Sequence, residues 1–172
     1  FIGSYTVQTL VQRGHKVAGL SRAVTPQSLD EFAPITYLNG SLDDAPWEKI
    51  QAFRPEACLH LAWITTPGVY LESKENDQLV VESLNFLKRL EGMGVSRFVA
   101  LGTCIEYEFK GGTLLQEDRT PIKPEHPYSR AKVRLQEGLH QILSTDSMFT
   151  WARVFYPYGV GEAAERLVSQ LI

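Results

Sequence analysis

The sequence is short of cysteine, with two in 172 residues. Cys58 and Cys104 fit no zinc or redox spacing, so no metal site is expected. Both lie in apolar, strand-like runs, the setting of buried thiols in a reducing compartment, and a cytoplasmic location is the expectation. No apolar run approaches the roughly 20 residues of a membrane span. Basic residues are not in excess either. Seventeen Lys and Arg against 20 Asp and Glu give a net charge of -3, without the electrostatic footprint of a nucleic-acid binder. Internal repeats, low-complexity tracts, an interdomain linker and a secretion leader are all missing from view, and the length suits one domain or part of one. An initiating Met is lacking too. The chain starts on Phe1-Ile2-Gly3, already entering a helix, and stops at Ile172 inside another helical pattern. It reads as a piece of a domain, cut at both ends.

What is present alternates between strand and helix. Residues 4–12 form a short amphipathic segment that Gly14 ends. Residues 15–20 and 35–38 read as strands, and residues 42–53 as a helix stopped by Pro55. Residues 57–62 are a mostly apolar run, as for a strand buried on both faces. A long helix over 73–91 ends at Gly92, residues 97–102 form another buried strand, and 108–125 a loop. A helix follows over 127–143, then a strand over 149–155, and residues from Glu162 onward are helical in pattern. Such alternation predicts an α/β domain with a doubly wound parallel sheet and helices on both faces. Ligands of such sheets lie at the carboxyl ends of the strands.

One stretch carries chemistry: His126-Pro127-Tyr128-Ser129-Arg130-Ala131-Lys132. Pro127 suits the first turn of a helix, and the spacing puts Tyr128 and Lys132 on one helix face. A phenol of pKa about 10 is a poor acid or base near neutrality, and bringing it to about 7 takes roughly 4 kcal/mol. A nearby ammonium and a bound cationic cofactor together supply that kind of stabilisation. Alone, the pair is a weak signal, since a solvated helix face with a packed Tyr has the same letters.

Strand ends add candidates. Leu20 and Ser21 offer no acid to a ribose 2′-hydroxyl, and Arg22 follows, which leans toward a 2′-phosphate and NADP. His60, inside its strand, is better read as a buried, hydrogen-bonded histidine than as a catalytic base. Ala62 and Trp63 are placed to line a cofactor cleft. Thr103 falls at the catalytic edge, where its hydroxyl can reach a substrate oxygen near Tyr128. Glu106 and Glu108, in the next loop, read as solvated carboxylates.

Taken together and in order, these pieces resemble the extended short-chain dehydrogenase/reductase superfamily, in its NAD(P)-dependent epimerase/dehydratase branch acting on nucleotide sugars. Phe1-Ile2-Gly3-Ser4 is similar to the end of the family's G-x-x-G-x-x-G loop, with Gly3 as the third glycine. Leu59-His60-Leu61-Ala62 is similar to its H-L-A strand, and Arg97 through Thr103 to its R-F-V-x-x-S-[ST] strand. Tyr107, Tyr128-x-x-x-Lys132 and the segment from Arg153 through Phe155 to Gly159 match further family positions. The resemblance implies a Rossmann-like fold, here lacking its first strand and most of its substrate lobe. It implies that Tyr128 is the acid/base, that Lys132 holds the nicotinamide ribose and lowers the Tyr128 pKa, and that Thr103 hydrogen-bonds the reacting oxygen. Gly3, Ser21, Arg22, Leu42, Leu61, Ala62, Trp63, Tyr128, Lys132 and Phe155 would bind NAD or NADP. A nucleotide-sugar substrate and a homodimer through the long helix and the Tyr-Lys helix are implied with them, and neither nucleic acid nor membrane as partner.

The departures narrow the reaction. Cys104 and Ile105 stand where sugar-nucleotide dehydratases carry Asp-Glu, which argues against dehydration. Ser41 stands where an Asp usually lies near the adenine, and Tyr156 where an Asn usually follows the strand. Asn76 is the better candidate for the family's helix asparagine. An epimerase or a 4-keto reductase is the leading expectation. A non-catalytic dinucleotide-binding regulator of the same fold, and a reductase of a non-sugar carbonyl, are the alternatives.

Overall fold

The computed structural model describes residues 1–22, 35–112 and 114–162. The helical pattern expected beyond Glu162 lies outside the described residues. The chain divides into two compact units, residues 1–54 with 156–172, and residues 55–155.

The first unit opens with α1 (Ile2–Gln12), which ends at Gly14 with φ of +82°. Strands β1 (Ala18–Ser21) and β2 (Thr36–Asn39) pair in parallel, with Ser21 opposite Asn39. Helix α2 runs only over Trp47–Phe53, later than the expected start at residue 42. The reason is local. Ser41 Oγ bonds Asp43 Oδ1 at 2.5 Å and accepts from the Asp44 N–H at 3.2 Å, and the Ser41 N–H donates to the Asp44 carbonyl. Short polar side chains that bond nearby backbone favour such a turn over a helix, and α2 begins directly after Pro46.

The second unit is a three-stranded parallel sheet in the order β3 (Ala57–His60), β4 (Arg97–Thr103), β5 (Met148–Val154). Helix α3 (Glu75–Gly92) connects β3 to β4, and α4 (Pro127–Ile142) connects β4 to β5. Right-handed crossovers in one direction put both helices on the same sheet face, and α3 and α4 pack on each other. Leu87 on α3 and Leu135 and Leu139 on α4 are fully buried, as are Val95 just before β4 and Phe98 and Ala100 within it. β3 departs from the expectation of burial on both faces. Leu59 is 36% exposed, because among the described residues β3 pairs only with β4 and its other edge carries no strand.

Register fixes which residues share an edge. His60 pairs with Ala100, and Thr103 with Val154. The carboxyl ends of β3, β4 and β5 therefore lie together, and the chain leaves them at Leu61, Cys104 and Phe155.

Candidate active site

The helix that carries the Tyr-Lys pair is positioned by its own first turn and by the loop before α3. Pro127 takes the first helical position, the His126 N–H donates to Ser129 Oγ at 3.2 Å, and Ser129 Oγ donates back to the His126 carbonyl. The Tyr128 N–H donates to the Leu71 carbonyl at 3.1 Å, and His126 Nδ1 lies 2.8 Å from Glu72 Oε1. The Tyr128 ring is then held edge-on by Tyr70, at 4.9 Å between centroids, and by Trp63, at 6.4 Å. Its hydroxyl is hydrogen-bonded with the Thr103 side chain. The sheet edge, the loop and α4 thus bring Thr103, Tyr128, Lys132 and Trp63 to one place.

Lys132 is almost fully buried, at 3% exposed. Its Nζ sits 3.8 Å from the centre of the Trp63 ring, a cation–π contact, and makes no ion pair among the described residues. Trp63 is pinned in turn: its Nε1 donates to Asn76 Oδ1 at 2.8 Å, while Asn76 Nδ2 donates to the carbonyls of Tyr70 and Ser73. Asn76, singled out as the helix asparagine, thereby spends its hydrogen bonds on shaping the site. A buried ammonium with donors to spare and an indole against it fits the ribose hydroxyls of a dinucleotide.

The electrostatics differ from what the pair alone suggests. Burial pushes the Tyr128 phenol up to about 12, helped by Tyr70 and Glu106 and opposed by the Thr103 hydrogen bond. Burial also pushes Lys132 down to about 7, with Glu106 pulling the other way. Desolvation dominates both groups, and the expected lowering of Tyr128 by Lys132 does not appear in the protein alone. His60 is buried as expected but not hydrogen-bonded. Both ring nitrogens lack a partner, and burial with the Lys132 charge lowers its pKa to about 3, outweighing a pull from its own backbone. A neutral imidazole enclosed inside a strand is no general base.

Of the two loop carboxylates, Glu108 is paired with Lys110 and Lys123 near the surface. Glu106 corrects the expectation of a solvated group, being 0% exposed. Its Oε1 accepts the Thr103 N–H at 2.7 Å, and its Oε2 accepts from Arg153 Nε at 2.6 Å and Trp151 Nε1 at 3.0 Å. A sequence signal for this was present and passed over. Thr103-Cys104-Ile105-Glu106 has the T-x-x-E spacing of a capping box, formed here at a short 3₁₀ turn over Cys104–Glu106.

The remaining cofactor candidates divide between the units. Leu61, Ala62 and Phe155 follow the strand ends of the second unit, Phe155 being half exposed with its ring tilted against Tyr107. In the first unit, Gly3 stands in the first turn of α1, Ser21 ends β1, and Leu42 lies in the turn after β2. Arg22 comes near that turn, close enough to help hold the Asp43 carboxyl below its usual range, behind the Ser41 hydrogen bond and nearby backbone.

Comparison with known proteins gives this arrangement a family. The sequence profile of the NAD dependent epimerase/dehydratase family matches residues 1–172, and the chain belongs to that family. It is 28% identical over 164 residues to a dTDP-6-deoxy-L-talose 4-dehydrogenase (NAD(+)) of Aggregatibacter actinomycetemcomitans, covering 92% of this chain and 58% of that protein. Among solved structures it is similar to MoeE5 in complex with UDP-glucose and NAD, at TM-score 0.73 and 22% identity over 99% of this chain and 56% of the other. The UDP-glucose 4-epimerase of Thermus thermophilus in complex with NAD gives TM-score 0.69 and 24% identity, over 89% and 51%. These structures share the Rossmann-like α/β fold. The chain spans little more than half the length of each.

Proposed function

We propose that the protein is a dinucleotide-dependent enzyme that interconverts a hydroxyl and a keto group on a nucleotide-activated sugar, working as a 4-keto reductase or dehydrogenase. The observation that carries this reading is the meeting of Tyr128, Lys132 and Thr103 at the carboxyl edge of one sheet, with the Tyr128 hydroxyl bonded to Thr103. The dTDP-sugar 4-dehydrogenase to which the chain is similar supports position 4 and a net redox reaction over an epimerisation.

The roles follow from the geometry. A bound nicotinamide supplies or accepts the hydride. Lys132 holds the ribose hydroxyls of the dinucleotide, and Trp63, Ala62, Leu61 and Phe155 line its path. Gly3, Ser21, Arg22 and Leu42 serve the pyrophosphate and adenosine. Thr103 and Tyr128 bind the sugar oxygen. In the reductive direction Tyr128 gives its proton to that oxygen as the adjacent carbon receives the hydride, and the phenolate takes a proton back from solvent. Burial keeps Tyr128 protonated near neutrality, so it starts as a donor, which suits reduction. In the oxidative direction Tyr128 would take the proton of the sugar hydroxyl as a phenolate, which Lys132 and a bound oxidised cofactor would stabilise by their positive charge.

NAD is the leading cofactor, since the Arg22 neighbourhood contains the Asp43 carboxylate, which repels a 2′-phosphate. NADP is the second reading and rests on Arg22 itself. A homodimer belongs to the same proposal, with Val81, 54% exposed on α3, as an apolar residue that such a contact covers.

The test is an absorbance assay of the intact protein with a 4-keto nucleotide sugar and NADH or NADPH, on wild type, Tyr128→Phe and Arg22→Ala. The expected result is stoichiometric consumption of the reduced cofactor, a loss of about 10²–10⁴-fold for Tyr128→Phe, and a preference for NADH that Arg22→Ala leaves in place. An NADPH preference lost in Arg22→Ala would transfer the assignment to NADP. Consumption of neither would point to the non-catalytic alternative.

A further inference from the structure

Glu106 is the sole buried carboxylate among the described residues. It closes the turn that carries the Thr103 hydroxyl: its carboxylate accepts the Thr103 N–H, while the Thr103 side chain accepts the Glu106 N–H. On its far side it is locked to β5. Arg153 donates from Nε to Glu106, from Nη1 to the Tyr107 hydroxyl at 3.1 Å and from Nη2 to Gln136 Oε1 at 3.1 Å, and its guanidinium lies over the Tyr107 ring. Space for this is made at Gly102, where an added Cβ would lie 2.6 Å from Glu106 Oε1 and 2.3 Å from Trp151 Nε1. Gly102, Glu106 and Trp151 thus form one interlocking set.

A purely architectural clamp needs no charge. A buried ion pair is commonly matched or exceeded in stability by apolar residues of similar volume. Here the carboxylate holds the backbone of Thr103 on one side and Arg153 and Trp151 on the other, and its charge acts on both Tyr128 and Lys132. The groups around Tyr128 are Lys132 on α4, Tyr70 in the preceding loop, Trp63 after β3, Thr103 at the end of β4, and Cys104 and Glu106 in the 3₁₀ turn. Of these, only Glu106 brings a fixed negative charge.

We infer that Glu106 is a positioning residue for the acid–base centre, setting the Thr103 hydroxyl in place through the turn that its carboxylate closes. The inference rests on the proposed function for its catalytic part, but the state of Tyr128 beside the turn is readable without substrate. Glu106→Gln removes the charge and keeps the shape. Glu106→Gln combined with Arg153→Met removes both charges and relieves the unpaired guanidinium, and Glu106→Asp keeps the charge.

The experiment is a pH titration of Tyr128 in the intact protein by ¹³Cζ-tyrosine NMR, the resonance assigned with Tyr128→Phe, alongside melting temperature and steady-state kinetics. Tyr128 is expected to titrate at lower pH in Glu106→Gln, where the Arg153 guanidinium is left unpaired, and nearer to wild type in the double variant and in Glu106→Asp, while the melting temperature recovers in the double variant. The kcat of Glu106→Gln is expected to fall at least tenfold with the cofactor KM changed less than threefold. A kcat of folded Glu106→Gln within threefold of wild type, or a loss in Glu106→Asp equal to that in Glu106→Gln, overturns the inference. An inactive wild type would instead count against the proposed function, and the NMR comparison would still decide the role of Glu106.

Discussion

Lys132 shows most plainly what burial does to a functional group. The folded protein releases its proton at about 7, whereas an unfolded chain holds it to about 10.4. Between those values the unfolded state binds more protons, so stability rises with pH; below about 7 the cost of burying the ammonium is fully present. Lys132→Met is therefore expected to stabilise the protein by a few kcal/mol near pH 6, on the order set by a shift of this size, with the gain fading as pH rises toward 10. Under the proposed role of Lys132, the same variant is expected to lose dinucleotide binding and activity, the trade expected where a site is strained for function. Chemical denaturation of wild type and variant at several pH values checks this. A constant difference across pH would mean that Lys132 carries its usual pKa. At this scale the sequence was informative about identity and silent about surroundings. That Tyr128 and Lys132 share a helix face and that Thr103 ends its strand were legible from spacing, while their proposed roles came from the family resemblance. The caging of Lys132 by Trp63, the saturation of Asn76, and the burial of Glu106 all depend on contacts between distant segments, and no local pattern encodes those.

Among the elements, β4 and its exit turn matter most. Gly102 is needed because Trp151 and Glu106 occupy the space a side chain would take. Gly102→Ala forces both to move, and overpacking of this kind costs about 1–3 kcal/mol. The expected outcome is a melting temperature lowered accordingly, together with a drop in kcat, since the displaced Glu106 no longer holds Thr103. A variant as stable and as active as wild type would show that the turn adjusts freely. The strand and helix order was readable because apolar runs of strand length alternate with long periodic segments. α2 was misjudged at its start because the Ser41–Asp44 turn competes with helix through its side chains. β3 was misjudged in its exposure because an apolar run predicts burial only where a neighbour exists on each side.

At the scale of the whole molecule, membership of the NAD dependent epimerase/dehydratase family follows from the match over residues 1–172. Family membership leaves the direction of hydride flow to be established, and the chain corresponds to 58% of the dehydrogenase it is similar to. No helix among the described residues is long and apolar enough to cross a membrane. The two units carry different parts of the proposed work. Ser21, Arg22 and the turn after β2 belong to one, and Tyr128, Lys132 and Thr103 to the other. The proposal that one reaction uses both is tested by following the hydride itself. The intact protein is incubated with a 4-keto nucleotide sugar and nicotinamide cofactor deuterated at the transferable position, and the product is analysed by mass spectrometry and NMR. A reductase places one deuterium on carbon 4 of the sugar and consumes one cofactor per product, and Tyr128→Phe abolishes both. No transfer of deuterium from either reduced cofactor to the 4-keto sugar, or inversion at carbon 4 of a 4-hydroxy nucleotide sugar without net cofactor consumption, would contradict the account.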